Sequence, residues 1–547
     1  MGSTQFNLPD VFDTVTAEHP DRECLLWGDL TMTFAEMADR SRRLGAYLRS
    51  RGLGASRERS ELAGHESGQD HLGIYLYNGN EYLEAMLGAF RARVAPFNVN
   101  YRYVEDELVY LLDDADCRAL VYHETFAPTL VALLDRLPGV EVLVQVADGS
   151  GHGLLPGAVD YEAVLAETAP TLDVSPSPDD LYILYTGGTT GMPKGVLWRQ
   201  HDIYMSAMGG RAMFTWDVVS SYADVAQRAR DNATPLRFLT LPPLMHGAAQ
   251  WGSFIGLNGG NAVVLPANTR HLDPAEVWRT VERQRATSIT TVGDAIARPL
   301  VEELERGDYD TSSLLGVGNG GAPLTPTIKE RQLAQLPNVN VSDSVGSSET
   351  GAQMSHMSMA GAVATGRFTP APGTVVVSED LTTVVEPGHE GLGWLAQEGW
   401  VPLGYYGDAD KTARTFPVIT GTRYAVPGDR ARHLADGDIE LLGRDSVTIN
   451  SGGEKIFAEE VERAIAGHPA VHDVVAVGRS SERWGQEVVA LVELSPGESA
   501  SEDEIVAHAS QTIARYKLPK AVLFLDHIQR SPAGKADYRW AKAQVGG

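Results

Sequence analysis

Apolar residues recur along this chain in two rhythms, and the change from one to the other marks where helices give way to strands. Thr33-Phe-Ala-Glu36 is a capping box, after which Phe34, Met37, Leu44 and Leu48 share one helical face until Gly52. Leu72–Leu76 is a continuous apolar run of strand length, and Leu83, Met86, Leu87 and Phe90 return to the helical spacing. Asp180-Leu-Tyr-Ile-Leu-Tyr185 is aromatic and apolar, the composition of a buried strand. This alternation predicts layered α/β architecture over the first ~440 residues. Arg57–Asp70 is polar and aperiodic and reads as a mobile loop or insertion, and Gly149–Pro156 as a surface connection. Past Gly443 the scale changes. A helix over Ala458–Ala466, strands over Val471–Val477 and Glu487–Leu494, and a helix capped by Ser501-Glu-Asp-Glu504 with Ile505, Val506 and Ile513 inward predict a small α+β unit. A chain of 547 residues is too long for one core. The division expected is 1–442 and 443–547, with the Gly443–Asn450 stretch as the joint.

Chemistry enters directly after the strand at 180–185. The run Tyr185-Thr-Gly-Gly-Thr-Thr-Gly-Met-Pro-Lys-Gly195 supplies glycines that let backbone N–H groups converge, with threonine hydroxyls and Lys194 as further donors. That reads as a phosphate cradle, with a plain Gly/Thr surface turn as the alternative. It is not a Walker A loop, because Lys194 follows Pro193 and precedes Gly195 instead of standing in Gly-Lys-Ser/Thr.

A net charge of −27 argues against nucleic-acid partners and anionic membranes. Cys24 and Cys117 are the two cysteines, too few and too far apart for a disulfide framework or a thiolate metal site. The N-terminal residues lack a signal-peptide pattern, Phe6 breaks a myristoylation pattern, and no apolar run approaches the ~20 residues of a membrane span. A cytoplasmic protein without integral membrane association is the expectation.

Further short motifs follow in order: Pro242-Pro-Leu-Met-His246, Gly320-Gly-Ala-Pro-Leu324, Gly346-Ser-Ser-Glu349, Pro427-Gly-Asp429, Gly443-Arg444, Ser451-Gly-Gly453 and Gly534-Lys535. Together with Gly191-Met-Pro-Lys-Gly195 they resemble the adenylate-forming acyl-CoA synthetases, with luciferases and peptide-synthetase adenylation domains as more distant cousins. The likeness runs from about Phe12 to Lys542 and is closest to actinobacterial ligases that activate sterol side-chain acids.

The resemblance implies an acid–CoA ligase using ATP, Mg²⁺ and coenzyme A, with the ATP and acyl sites in the large domain. Thr186, Gly187, Gly188, Thr189, Thr190, Gly191 and Lys194 would cradle phosphates. Gly320, Gly321, Ala322 and Pro323 would lie against the adenine near Val345, and Asp343, Ser344, Gly346, Ser347 and Ser348 would complete the cofactor-binding set. Glu349 would hold Mg²⁺, and Asp429 and Arg444 would bind the ribose. Lys535 would bridge carboxylate and α-phosphate, and His246 would stand at the acyl pocket near the thiol entrance. Lys535, Glu349, His246 and Thr186 are thus the catalytic candidates. Gly452 and Gly453 would line the thiol tunnel in a second orientation of the small domain. This chain departs from the wider superfamily at Val345, where an aromatic usually stacks on adenine, and at Ser446 and Val447 of the hinge.

The resemblance places Gly247-Ala-Ala249, Gly293-Asp-Ala295 and Gly316–Gly321 around the acyl pocket, where mostly small residues would leave room for a wide acid, although small residues also suit close strand packing. A bulky sterol or terpenoid acid is expected, with a long or branched fatty acid as the alternative. Three other readings stay open at this point. One is an adenylating enzyme that leaves CoA or carrier transfer to a partner acyltransferase or carrier protein. The others are a binding protein without chemistry and a luciferase-like oxygenase. A homodimer is also open.

Overall fold

The computed structural model describes residues 4–186, 192–212, 215–364, 366–451, 454–481, 484–530 and 534–546. The fold is mixed α/β, a large N-terminal domain followed by a small C-terminal one. Helix Phe34–Ser50 begins where the capping box predicts, with Thr33 accepting from Glu36 N and Glu36 returning the bond. Strand His71–Tyr75 and helix Asn80–Arg91 follow, both almost wholly buried.

An eight-stranded sheet runs, from one edge to the other, through 404–405, 194–199, 181–186, 95–98, 71–75, 117–123, 142–146 and 158–160. A thirteen-stranded sheet has a parallel core of 23–27, 262–265, 237–240, 288–291, 316–320 and 340–347, flanked by antiparallel strands. Strand 316–320 and the first part of strand 340–347, up to a bulge between Val345 and Gly346, send alternate residues to opposite faces. Val317 and Val341 enter a core beneath helices 274–284, 293–304 and 326–335, while Gly316, Gly318, Ser342 and Ser344 face the other way into a cavity.

The small domain is built on strands 471–481 and 485–494, with 521–524 joining in parallel and helices 458–466 and 502–509 packed against them. Strand 439–444 still pairs with 429–433 and 367–370 of the large sheet. The division expected at 442/443 therefore falls inside a strand, and the chain leaves the large sheet at the turn Asp445–Val447. Two sequence expectations shift. Ile513 is not on the capped helix, which ends at Ala509, although it still packs against the same core. Residues 57–70 are not formless: a short turn at Arg59–Glu61 is stitched by Arg57, Arg59 and Ser56 to backbone carbonyls.

Candidate active site

A cavity of about 1240 Å³ lies where the two large sheets meet and continues along the exposed face of the parallel strands. Its floor is set by register. Ser288 lies beside Gly316, and Gly316 beside Asn340; Thr290 lies beside Gly318, and Gly318 beside Ser342. Helix Gly247–Asn258 forms the facing wall with Trp251, Gly252 and Ile255. The far end opens at Leu315 and Met357, both well exposed.

The near end is held by long-range amide clamps. Asn98 accepts from Tyr185 N at 2.8 Å and donates to the carbonyls of Tyr185 and Met245 at 2.9 and 2.7 Å. Asn78 grips Pro242 O at 3.0 Å and Leu244 N at 2.6 Å. Two buried amides thus fix the strand entering the Gly/Thr run and the segment that delivers His246. Burying an amide stabilises only when its bonds are made, and here they are. His246 caps helix 247–258, and its buried Nε2 has no hydrogen-bond partner among the described residues. Burial, then the charges of Lys535 and Arg102, bring its pKa down to about 4, so the ring is neutral at neutral pH.

Thr186 lines the cavity and lies opposite Lys194 in the hairpin of 181–186 and 194–199. Lys194 does not reach into the cavity: its Nζ rests 3.1 Å from Asp114 Oδ1, and the other oxygen of Asp114 accepts from Tyr185 Oη at 2.9 Å. Gly187 to Gly191, and Gly452 and Gly453, lie outside the described residues.

The remaining charges converge. Gly346 needs its glycine, since a Cβ there would stand 2.2 Å from Gly351 O across the hairpin. The turn that follows presents Glu349, whose Oε1 accepts from Tyr405 Oη at 2.7 Å, while Ser348 O accepts from Trp198 Nε1 at 2.8 Å. Asp429 and Arg444 are cross-strand partners with Oδ1 and Nε 3.3 Å apart. Asp429, and behind it Glu349 and Glu459, raise the Arg444 pKa against burial. Lys535 lines the cavity with its side chain open to it. Protein packed around its loop, then Arg444, lower its pKa from the usual lysine value against the pull of Glu349 and Asp429. Gly320, Gly321, Ser344, Val345, Gly346, Ser347 and Ser348 also reach the cavity.

Asp343 does not. Strand alternation turns it away, and it sits buried with Oδ2 2.6 Å from Lys329 Nζ and 2.9 Å from His356 Nε2. Its role is support: its Oδ1 accepts from Asn319 Nδ2 at 2.8 Å. Asn319 in turn accepts from Gly293 N at 2.7 Å and donates to Ala322 O at 3.1 Å. Ala322 and Pro323 back the site in the same way, abutting Gly293, where a Cβ would meet Pro323 O at 2.6 Å. Asn78, Asn98, Asp114, Asn319, Lys329 and Tyr405 were not singled out by sequence reasoning. One signal was readable: Lys329 occupies an inward position beside Ile328, Gln332 and Leu333 of helix 326–335.

Among the described residues no cluster of three potential ligands could hold a metal by itself. Mg²⁺ characteristically takes one or two carboxylates and completes its shell with phosphate and water oxygens. Glu349 fits such a role, with Tyr405 orienting one of its oxygens.

Residues 12–406 match the model of the AMP-binding enzymes, and residues 460–535 match that of the AMP-binding enzyme C-terminal domain. The chain belongs to the AMP-binding enzyme family. This AMP-binding enzyme is 60% identical over 544 residues to the medium-chain acyl-CoA ligase Mig of Mycobacterium avium, with 99% of each chain covered. It is 40% identical to a 3-oxocholest-4-en-26-oate–CoA ligase of Rhodococcus rhodochrous, over 99% of this chain and 96% of that one. Among solved structures, anthranilate CoA ligase AuaEII with anthranoyl-AMP superposes with a TM-score of 0.83 at 20% identity, over 99% and 98% of the two chains, a likeness of fold. The protein is an AMP-forming acid–CoA ligase that uses ATP and CoA. None of the helices among the described residues is long and apolar enough to cross a membrane.

Proposed function

We propose that this ligase activates wide, polycyclic carboxylic acids of the sterol or terpenoid kind, and linear medium-chain acids in the same trough. The observation that carries this reading is the emptiness above the strand glycines. A Cβ added at Gly316 or Gly318 would meet nothing closer than 3.6 Å, so close packing of the protein does not require glycine there. Glycine within a strand costs roughly 0.5–1 kcal/mol relative to alanine. Two in one strand, facing Gly252 of the opposite helix, widen the trough at the expense of the sheet. The Rhodococcus relative is named for a sterol acid, which supports the wide substrate. The Mycobacterium avium relative is named for medium chains, which supports the linear one.

The charge arrangement supports the following course of reaction. The acid's carboxylate attacks the α-phosphorus of ATP, forming an acyl–O–P bond as the bond to pyrophosphate breaks. The protein's part is to place the reactants and neutralise charge. Lys535 spans carboxylate and α-phosphate, Asp429 and Arg444 hold the ribose, and Thr186 with the Gly187–Gly191 run takes the phosphates. Lys194 leaves Asp114 to join them. Mg²⁺, held by Glu349, would offset charge on the phosphates when bound. Neutral His246 flanks the carboxylate without adding a cation. The small domain then turns about Asp445–Val447 and brings the Gly452–Gly453 loop to the site. The CoA sulfur attacks the acyl carbonyl, and AMP leaves.

Mass spectrometry of reactions with ATP, Mg²⁺ and a panel of sterol, diterpenoid and fatty acids, with and without CoA, tests this. Acyl-CoA from both polycyclic and medium-chain acids is expected. Thioester from linear acids alone would refute the wide substrate. Acyl-AMP persisting despite CoA would mean that a partner completes the transfer.

A further inference from the structure

The small domain grips the large one well away from their joint, and we propose that Arg298 is the positioning residue that docks it in the adenylate-forming orientation. This rests on the two-orientation reading above. Helix Gly293–Leu304 of the large domain acts as the landing surface. Gly534, the neighbour of Lys535, lies against its first turn with φ +74; a Cβ there would be 3.4 Å from Ala295 Cβ and 3.7 Å from Val292 O. One turn further along, Arg298 Nη2 donates to His472 O of the small domain at 2.7 Å.

That carbonyl is presented for the purpose. Strand 471–481 pairs Val471 with Leu494 and Asp473 with Glu493, so His472 is the extra residue of a β-bulge. A bulge takes its residue out of the ladder and re-aims it. The next residue, Asp473, holds Arg530 through both Nε and Nη2, and Arg530 Nη1 reaches Gly534 O at 3.4 Å. His472 and the lysine loop are therefore parts of one braced unit. Any turn about Asp445–Val447 that withdraws Lys535 also parts His472 from Arg298. On the large-domain side Arg298 is steadied by Asp294 at 3.4 Å, and Asp294 accepts from Thr325 N and Oγ1, both at 2.8 Å. Burial holds the Asp294 carboxyl above the usual range against the bonds from Thr325 and the charge of Arg298.

The test separates the two half-reactions in Arg298→Ala, Arg298→Lys and Lys535→Ala, with thermal melting of each. Adenylate formation is followed by acid-dependent pyrophosphate release, and thioester formation by supplying synthetic acyl-AMP and CoA. Arg298→Ala should slow adenylation roughly tenfold or more, the scale of a lost charge-assisted hydrogen bond, and leave thioester formation within about twofold. Arg298→Lys should recover part of the loss, since an ammonium can still donate to the carbonyl. Equal losses in both halves, or no loss in either, would overturn the proposal. If Lys535→Ala itself spares adenylation, the fault lies in the two-orientation reading; if it abolishes adenylation while Arg298→Ala does not slow it, only the docking role fails.

Discussion

The two faces of strands 316–320 and 340–347 could hardly differ more. The cavity face carries Gly316, Gly318, Gly320, Ser342 and Ser344, small side chains or none. The reverse face, one residue out of step, carries Val317, Asn319, Val341 and Asp343, packed and bonded in the interior. A surface that must admit a ligand is kept bare, and the rigidity it cannot supply for itself is placed directly behind it. The difference teaches that in this site specificity and stability are separable by a shift of one residue.

The sharpest way to break the contrast is Asp343→Ala. It strands the buried Lys329 ammonium, a loss of about 3–5 kcal/mol for a buried pair. Melting should show a large fall in midpoint, and turnover should fall alike for every acid. Loss confined to one acid would mean that Asp343 touches substrate. The pH dependence has a definite sign. Burial alone would raise the Asp343 pKa, but His356 and Lys329 outweigh it and leave it lowered. The contribution is thus complete above the unfolded value of about 3.9 and is lost as pH falls through the folded value. The stability gap between the parent and Asp343→Ala should close below about pH 4.

On the other face, Gly318→Val should leave the midpoint nearly unchanged. It should cut kcat/KM for polycyclic acids by roughly 10–100-fold, the scale of a few methylenes of misfit, and spare linear acids. Equal losses for both acid classes would show that the trough is not limited by width. The smallest effect belongs to Gly316→Ala near the open end. A slight rise in stability of about 0.5–1 kcal/mol with unchanged turnover is expected. Destabilisation there would mean that the glycine serves packing after all.

Much of this was legible in the sequence. Helix 34–50 was readable because its cap, period and stop all lie within one window. The charged residues that converge on the cavity each sit in a short motif, which is why the sequence drew attention to them. Asp343 was misplaced because a motif is read as a continuous surface, whereas a strand sends alternate side chains to opposite sides. The clamps were unreadable for another reason. Asn98 and Asn78 act on partners 87 and 164 residues away, and Lys194 meets Asp114 across 80, so no local pattern announces them. Small residues at 316–320 were visible, but their meaning was not. Only the space a Cβ would find tells a packed glycine from an open one.

Glu349 sits on a hairpin of the larger sheet, yet Tyr405 and Trp198, which steady its turn, belong to the smaller one. The reacting geometry is therefore a property of the seam and not of either sheet. A slip of an ångström between two intact sheets is enough to cost on the order of 10²-fold in rate. The site in this way acts as a vernier, registering a misalignment of the two halves long before either has begun to unfold.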